Sequence, residues 1–290
     1  MAHVKQKWQV FDMKKWNDSA QMILIAGFAI GIGIVVLTVM LNNIIYASNT
    51  ASEANIETNV FDFSNTIRVT TQAYEKAYDN GSIDNAYISN YSSKMAMSHA
   101  IAGFIFTLDN DSLQEPYFTQ NGLRSGDPEW AVVDRINQTN YFDMEINIST
   151  LGNESNCFVA EAHNQSDMLW SVRVFNSSGS FNVTVTNSTA ILNTIIRNGS
   201  LLKMNLTYNL MDDAPYDFYY SSLTAGKQHK VKFRNGNQSS GTFAISGNLS
   251  NGQPFEIRRY HVLNTTMSLN KNGHLEMNVT IPVTLPRGQI

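Results

Sequence analysis

The spacing of hydrophobic and polar positions changes character three times along the 290 residues. A polar, basic head, residues 1–21, gives way to MILIAGFAIGIGIVVLTVML, Met22 to Leu41, twenty residues without a charge. At 1.5 Å per residue, a helix of that length covers about 30 Å, the thickness of a bilayer's hydrocarbon core. The run predicts a single transmembrane helix over residues 22–45. Beyond it, Ile56, Val60, Phe63, Ile67, Tyr74 and Ala77 recur at intervals that fit one helix face. The turn signal Asp79-Asn80-Gly81-Ser82 follows. A second stripe then runs through Ile88, Tyr91, Met95, Ser98, Ala102 and Ile105. Two stripes joined by a turn predict an antiparallel helical hairpin, a stalk over residues 46–125. From about Asn140 the period becomes two. Ser180–Thr186 shows it best: Phe181, Val183 and Val185 share one face, and Asn182, Thr184 and Thr186 share the other.

Further alternating runs lie at Tyr141–Ser149, Cys157–Ala162, Leu169–Phe175, Leu202–Tyr208, Phe218–Ser221, Lys230–Arg234, Gly241–Ser246, Phe255–Val262 and Leu275–Val283. Asn235-Gly236, Asn251-Gly252 and Asn272-Gly273 punctuate them where chain reversal requires positive φ. The fold class expected is α+β: an N-terminal transmembrane helix, a helical hairpin stalk and, over residues 126–290, a C-terminal antiparallel β-sandwich.

Charge gives this plan a direction. Lys5, Lys7, Lys14 and Lys15 precede the apolar run, whereas Glu53, Glu57 and Asp62 follow it before the first Arg at position 68. By the positive-inside rule, residues 1–21 are a cytoplasmic leader and the C-terminal domain is extracellular. The expected location is the cell membrane, crossed once, with the lipid bilayer as a partner. Trp16 and Tyr46 flank the run at positions suited to interfacial belts. Gly27 and Gly31 set a GxxxG spacing that permits close helix packing.

Beyond the apolar run the chain holds sixteen Asn-x-Ser/Thr triplets, none with Pro at the centre. They begin at Asn80, Asn90, Asn110, Asn137, Asn147, Asn153, Asn164, Asn176, Asn182, Asn187, Asn198, Asn205, Asn237, Asn248, Asn264 and Asn278. Residues 47–290 contain 30 Asn and 46 Ser or Thr, which placed at random would form about six triplets. A sequon also has the spacing of one strand face, so a half-buried strand can carry it wholly on its solvent side. These asparagines are candidate acceptors for N-linked sugar.

Catalytic signals are missing from the sequence. A net charge of −4 gives no basic footprint, so no nucleic-acid partner is expected. One cysteine, Cys157, excludes an intramolecular disulfide framework and any multi-Cys zinc site. The six histidines, at positions 3, 99, 163, 229, 261 and 274, show no ligand spacing. Asp109, Asp111 and Glu115 form an acidic loop without the glycine and distal glutamate of an EF-hand. Asp212, Asp213 and Asp217 read as a turn, and Arg258 and Arg259 as sheet-pairing residues. No cofactor, catalytic residue or metal ligand is predicted, and the chain reads as a non-enzyme.

The segment DSAQMILIAGFAIGIG, beginning at Asp18, resembles the N-terminus of archaeal type IV pilin-like proteins: a short basic leader, then Gln21, then an apolar helix. The resemblance covers about an eighth of the chain. It implies leader cleavage between Ala20 and Gln21, and other pilin-like subunits as partners in a filament. Two functional readings stay open. One is a glycosylated, membrane-anchored surface protein with a structural or adhesive role. The other is a monomeric single-pass ectodomain that binds an extracellular ligand without forming filaments.

Overall fold

The computed structural model describes residues 27–28, 30–42, 45, 63–79, 81–165, 167–271 and 275–286. The chain forms two compact units, Met1–Thr66 and Ile67–Ile290. In the first, the longest described helical stretch is α1, residues 30–42. No helix among the described residues is long and apolar enough to cross a membrane. The expected transmembrane helix, its signal-anchor role and the single-pass location in the cell membrane are therefore corrected. The proposed cleavage point, Ala20 and Gln21, lies outside the described residues.

The stalk is corrected as well. Helix α2 (residues 63–77) and helix α3 (Asn85–Ile101) are joined by a two-rung hairpin, β1 (Tyr78–Asp79) and β2 (Ser82–Ile83), turning at Gly81 with φ +92°. Asp84 caps α3 by accepting the Ala86 and Tyr87 N–H groups, each at 3.0 Å. Instead of projecting outward, the pair docks on a sheet. The stripe predicted to carry α3 past Ile101 breaks at Gly103, φ +78°, and the chain becomes strand β3 (Ile105–Asn110). In α2, Thr70, Ala73, Tyr74 and Ala77 are buried. The Thr70 hydroxyl meets the Tyr91 hydroxyl of α3 at 2.9 Å, and the Tyr74 hydroxyl donates to the Asn110 amide oxygen at 3.0 Å.

The remaining strands run in chain order as β4 (Trp130–Asn147), β5 (Phe158–Asn164), β6 (Asp167–Ser177), β7 (Ser180–Thr186), β8 (Ile191–Asn198), β9 (Leu201–Asn205), β10 (Leu210–Met211), β11 (Ala214–Pro215), β12 (His229–Arg234), β13 (Gly241–Leu249), β14 (Pro254–Arg259), β15 (His261–Lys271) and β16 (Leu275–Leu285). The short helix α4 (Tyr220–Thr224) stands near where a strand, Phe218–Ser221, was expected. Strands β16, β15 and β3 form the antiparallel sheet under α2 and α3. The other strands form one sheet in the order β11-β10-β9-β4-β12-β5-β6-β7-β8, with β13 added to β4 and β14 to β13. This protein is mostly β, with a large curled sheet beside the smaller one under the helices, and the expected β-sandwich with its membrane helix and stalk is corrected accordingly.

Strand β4 holds the large sheet together. Its first part pairs with β12, and its later part pairs with both β9 and β13. Register shifts against both neighbours let its 18 residues bend, and two of them have a visible cause. Arg135, at φ +56°, sits where the β12 register shifts, and a second shift falls at Ser246–Gly247 of β13. Gly247 permits the latter, because a Cβ there would collide with the Gln138 carbonyl. Phe142, Met144 and Ile146 of β4 face inward with Phe181, Val183 and Val185 of β7, all buried. Each such side chain contributes roughly 1.5–3 kcal/mol on burial. Two aromatic groups fill this core: Phe118 lies 4.5 Å from Phe158 and 5.4 Å from Phe233, and Trp170 lies 4.9 Å edge-on from Tyr220.

Two polar clamps close this core. Trp170, fully buried, donates its indole N–H to the Phe218 carbonyl at 2.7 Å. Arg259 is buried without a carboxylate partner. It donates to the carbonyls of Thr119 and Gln120 and stacks over the Trp130 ring at 5.1 Å. Burial holds its pKa down at about 10. Replacing Trp170 by Phe leaves the Phe218 carbonyl unpaired and opens space in the core. Urea unfolding should show a loss of about 2–4 kcal/mol; an unchanged midpoint would mean that Trp170 does not fasten the 216–218 segment.

Candidate functional site

Strand alternation decides where the sequon asparagines point. Of the sixteen, Asn80 lies outside the described residues. Among the other fifteen, Asn90, Asn110, Asn137, Asn153, Asn198 and Asn278 are exposed, and Asn147, Asn164, Asn176, Asn182, Asn187, Asn205, Asn237, Asn248 and Asn264 are half-buried; none is buried. On β7, Asn182 faces out while Phe181 and Val183 on either side are fully buried. Asn205 of β9 follows the same rule between buried Met204 and Leu206; Asn147 of β4 has buried Ile146 on one side, and exposed Asn278 of β16 stands between half-buried Met277 and Val279.

Several sequons share a local geometry. The sequon hydroxyl donates to the asparagine amide oxygen in Ser149 to Asn147 (2.8 Å), Ser155 to Asn153 (2.7 Å), Thr184 to Asn182 (3.3 Å), Thr189 to Asn187 (3.0 Å) and Thr207 to Asn205 (3.1 Å). The bond orients the carboxamide and occupies its carbonyl end. Asn147 differs in also donating its Nδ2 to Glu115, at 3.1 Å. The helix-packing candidates Gly27 and Gly31 have open space around them, with nothing within 4 Å of an added Cβ.

A cleft opens on the outward face of β4 and β9. It encloses about 150 Å³ and is lined in part by Tyr141, Asp143, Glu145, Lys203, Asn205 and Asp212. Asp143 is directly opposite Asn205, and Glu145 opposite Lys203. Lys203 Nζ pairs with Glu145 at 3.4 Å, while its backbone N–H donates to Asp212 at 3.0 Å. The buried Oδ1 of Asp143 has no hydrogen-bond partner. Burial raises the Asp143 pKa, and Glu145 adds to the rise; the Tyr141 hydroxyl and backbone N–H groups oppose it. Burial, then the neighbouring Asp143 charge, pushes Tyr141 to about 12. The Tyr141 and Tyr208 rings stand 6.3 Å apart, tilted by 54°.

The second polar depression, of about 420 Å³, centres on His229. His229 Nδ1 lies 2.9 Å from the Lys227 carbonyl, which can only accept, so Nδ1 carries the proton. Nε2 is then an acceptor and takes the Tyr220 hydroxyl at 3.2 Å, and the Tyr220 oxygen takes the Thr139 hydroxyl at 2.9 Å. Both ring nitrogens are occupied, so the imidazole is a packing element with no lone pair free for a substrate. Burial lowers its pKa below 6.5, against a smaller opposing pull from the Lys227 carbonyl.

The other candidate groups are likewise committed. Glu161, buried in the sheet, bridges His163 at 2.9 Å and Arg234 at 3.0 Å. His261 meets the Tyr78 hydroxyl at 3.0 Å, and His99 stacks on Phe106 with ring centres 5.5 Å apart. Buried Cys157 receives two bonds from the Arg173 guanidinium, each 3.4 Å. Glu115 accepts from the Ser240 hydroxyl at 2.7 Å, and Arg258 pairs with Glu256. His3 and His274 lie outside the described residues. Among the described residues, no group of three or more acidic, His or Cys side chains could hold a metal ion.

The sequence reading passed over Asp143 and its tyrosines. The alternation Tyr141-Asp143-Glu145 against Phe142-Met144-Ile146 marks the first three as outward, but nothing local says that Lys203 and Asn205 lie across from them.

Two ionisation tests follow from this geometry. His229 favours its neutral form in the fold, so the stability it confers is complete above pH 6.5 and is lost as pH falls below that value. Urea unfolding should show a weaker fall between pH 7 and pH 5 in His229→Gln than in the parent; parallel curves would contradict the assignment. Asp143 has the opposite sense. Its raised pKa means a contribution fully present below 3.8 and lost as pH rises through the folded value, so the charged form costs stability at neutral pH. Asp143→Asn should unfold at a higher urea concentration at pH 7, and a lower one would show that the carboxylate is satisfied. No family model, curated protein or solved structure matches the chain.

Proposed function

We propose that this chain is an N-glycosylated structural or adhesive protein that works through its surface and not by catalysis. The observation that carries the reading is the placement of the sequons: none of the fifteen described asparagines is buried, and on strands such as β4, β7 and β9 they stand on the face opposite the core. A random scatter of Asn-x-Ser/Thr triplets would put some asparagines on the inward face. Transfer to such a site joins Nδ2 to the anomeric carbon of an activated oligosaccharide. The C–O bond to its diphosphate leaving group breaks, and one Nδ2 proton is lost. Outward carboxamides, many with the carbonyl end already occupied, can carry that bond without displacing core side chains.

The commitments of His229, Glu161 and Cys157 support the non-catalytic part. A general base or nucleophile needs a free lone pair within reach of a substrate, and these three groups spend theirs inside the fold. The test is mass spectrometry of the protein isolated from its own host, before and after chemical or enzymatic release of N-linked sugar. A fall in mass equal to several oligosaccharides is expected. An unshifted mass would overturn the reading.

A further inference from the structure

Three of the described sequon asparagines line clefts: Asn205, Asn137 and Asn248. The Asn205 cleft differs from the other two in having a buried, unpaired carboxylate oxygen and a pair of exposed aromatic rings at its rim. We infer that this cleft is the seat of the sugar borne by Asn205, with the first pyranose packed against Tyr208 and Tyr141 and donating a hydrogen bond to Asp143. The inference rests on the glycosylation reading above.

The position follows from register. Asn205 is directly opposite Asp143 on one side and Leu210 on the other, so all three side chains share the outward face. Directly opposed Cβ atoms in an antiparallel pair stand about 4.5–5.5 Å apart. The Asn205 carbonyl accepts from the Thr207 hydroxyl at 3.1 Å and the Tyr208 N–H at 3.0 Å. That leaves Nδ2 as the free end of the carboxamide, beside the cleft. Its volume of about 150 Å³ is that of roughly five waters, the order of a single sugar ring.

The chemistry of the lining suits a neutral polyol. Asp143, Glu145, Asp212 and Asp213 supply acceptors, against Lys203 as the cation of the lining. Sugar hydroxyls and an acetamide N–H are donors, and Asp143 Oδ1 is an acceptor without one. An acidic sugar would be repelled by the same carboxylates. Tyr208, in the turn after β9, is 64% exposed and Tyr141 of β4 is 36% exposed, together a large apolar area. A pyranose presents a C–H face that covers such rings, while its equatorial hydroxyls reach sideways to the carboxylates.

The experiment uses the full chain made in an N-glycosylating cell line. Sugar release by an endoglycosidase is followed site by site by peptide mass spectrometry on the folded protein. Asn153, exposed and outside the three clefts named above, is the internal reference. Release at Asn205 should be about tenfold slower than at Asn153, equivalent to ~1.4 kcal/mol of seating. Tyr208→Ala and Asp143→Asn, with folding verified by circular dichroism, should each bring the Asn205 rate toward that of Asn153. Equal rates at the two sites in the parent would overturn the seat and leave the glycosylation reading standing. Absence of sugar at every sequon would overturn that reading and the seat with it.

Discussion

The two-residue repeat of extended backbone is the constraint on which everything else in this protein depends. Successive side chains of a strand leave opposite faces. A strand that buries every second residue must therefore offer the intervening ones to solvent. In β7 the buried set is Phe181, Val183 and Val185, and the offered set contains Asn182 and Thr184. An Asn-x-Thr triplet spans two residues, so it fits one face and leaves the other intact. The same geometry governs β4, where Phe142, Met144 and Ile146 go in while Tyr141, Asp143 and Glu145 come out. Core and surface chemistry are thus interleaved along single strands.

Such interleaving survives only while register is held, since a slip of one residue exchanges the two faces. Register in the large sheet is fixed by its irregular points. Arg135 in a left-handed conformation and the shift at Gly247 each absorb a residue, and the strand beyond them resumes with the correct face inward. Trp170 and Arg259 then fasten the connecting segments by donating to their carbonyls. Among the described residues the buried side-chain polar atoms left without a partner are Asp143 Oδ1 at the surface cleft and single atoms of Arg197, Tyr216, Ser239 and Asn264.

How much of this could be read from the sequence depended on how cleanly each segment alternated. Ser180–Thr186 was legible to the residue because its alternation is unbroken and a glycine turn precedes it. Strand β8 was not, because Ile195 and Ile196 sit side by side in an edge strand, where burial does not enforce a strict pattern. Strand β3 was taken for helix because Ile101, Ile105 and Leu108 keep helical spacing; Gly103, in a conformation that favours glycine, is what ends the helix. Phe255–Val262 was read as one strand, but a bend at Tyr260 passes the chain from one sheet to the other. The apolar run at residues 22–41 had the length of a membrane span, whereas no helix among the described residues is long and apolar enough to cross one. The sequons were fully legible as a motif. The Asn205 cleft was not, because it joins β4 to residues some 60 positions away and pairing distance leaves no local trace.

The central claim is that sequon-bearing strands such as β7 and β9 turn one face to the core and the other to solvent. Solvent paramagnetic relaxation measured by NMR tests it most directly, with a soluble gadolinium chelate added to the unglycosylated chain. The side-chain amide signals of Asn182, Asn205 and Asn278 should broaden strongly, and the methyl signals of Val183, Val185 and Met204 should hardly change. Broadening of those methyls to the same degree as the amides would contradict the account.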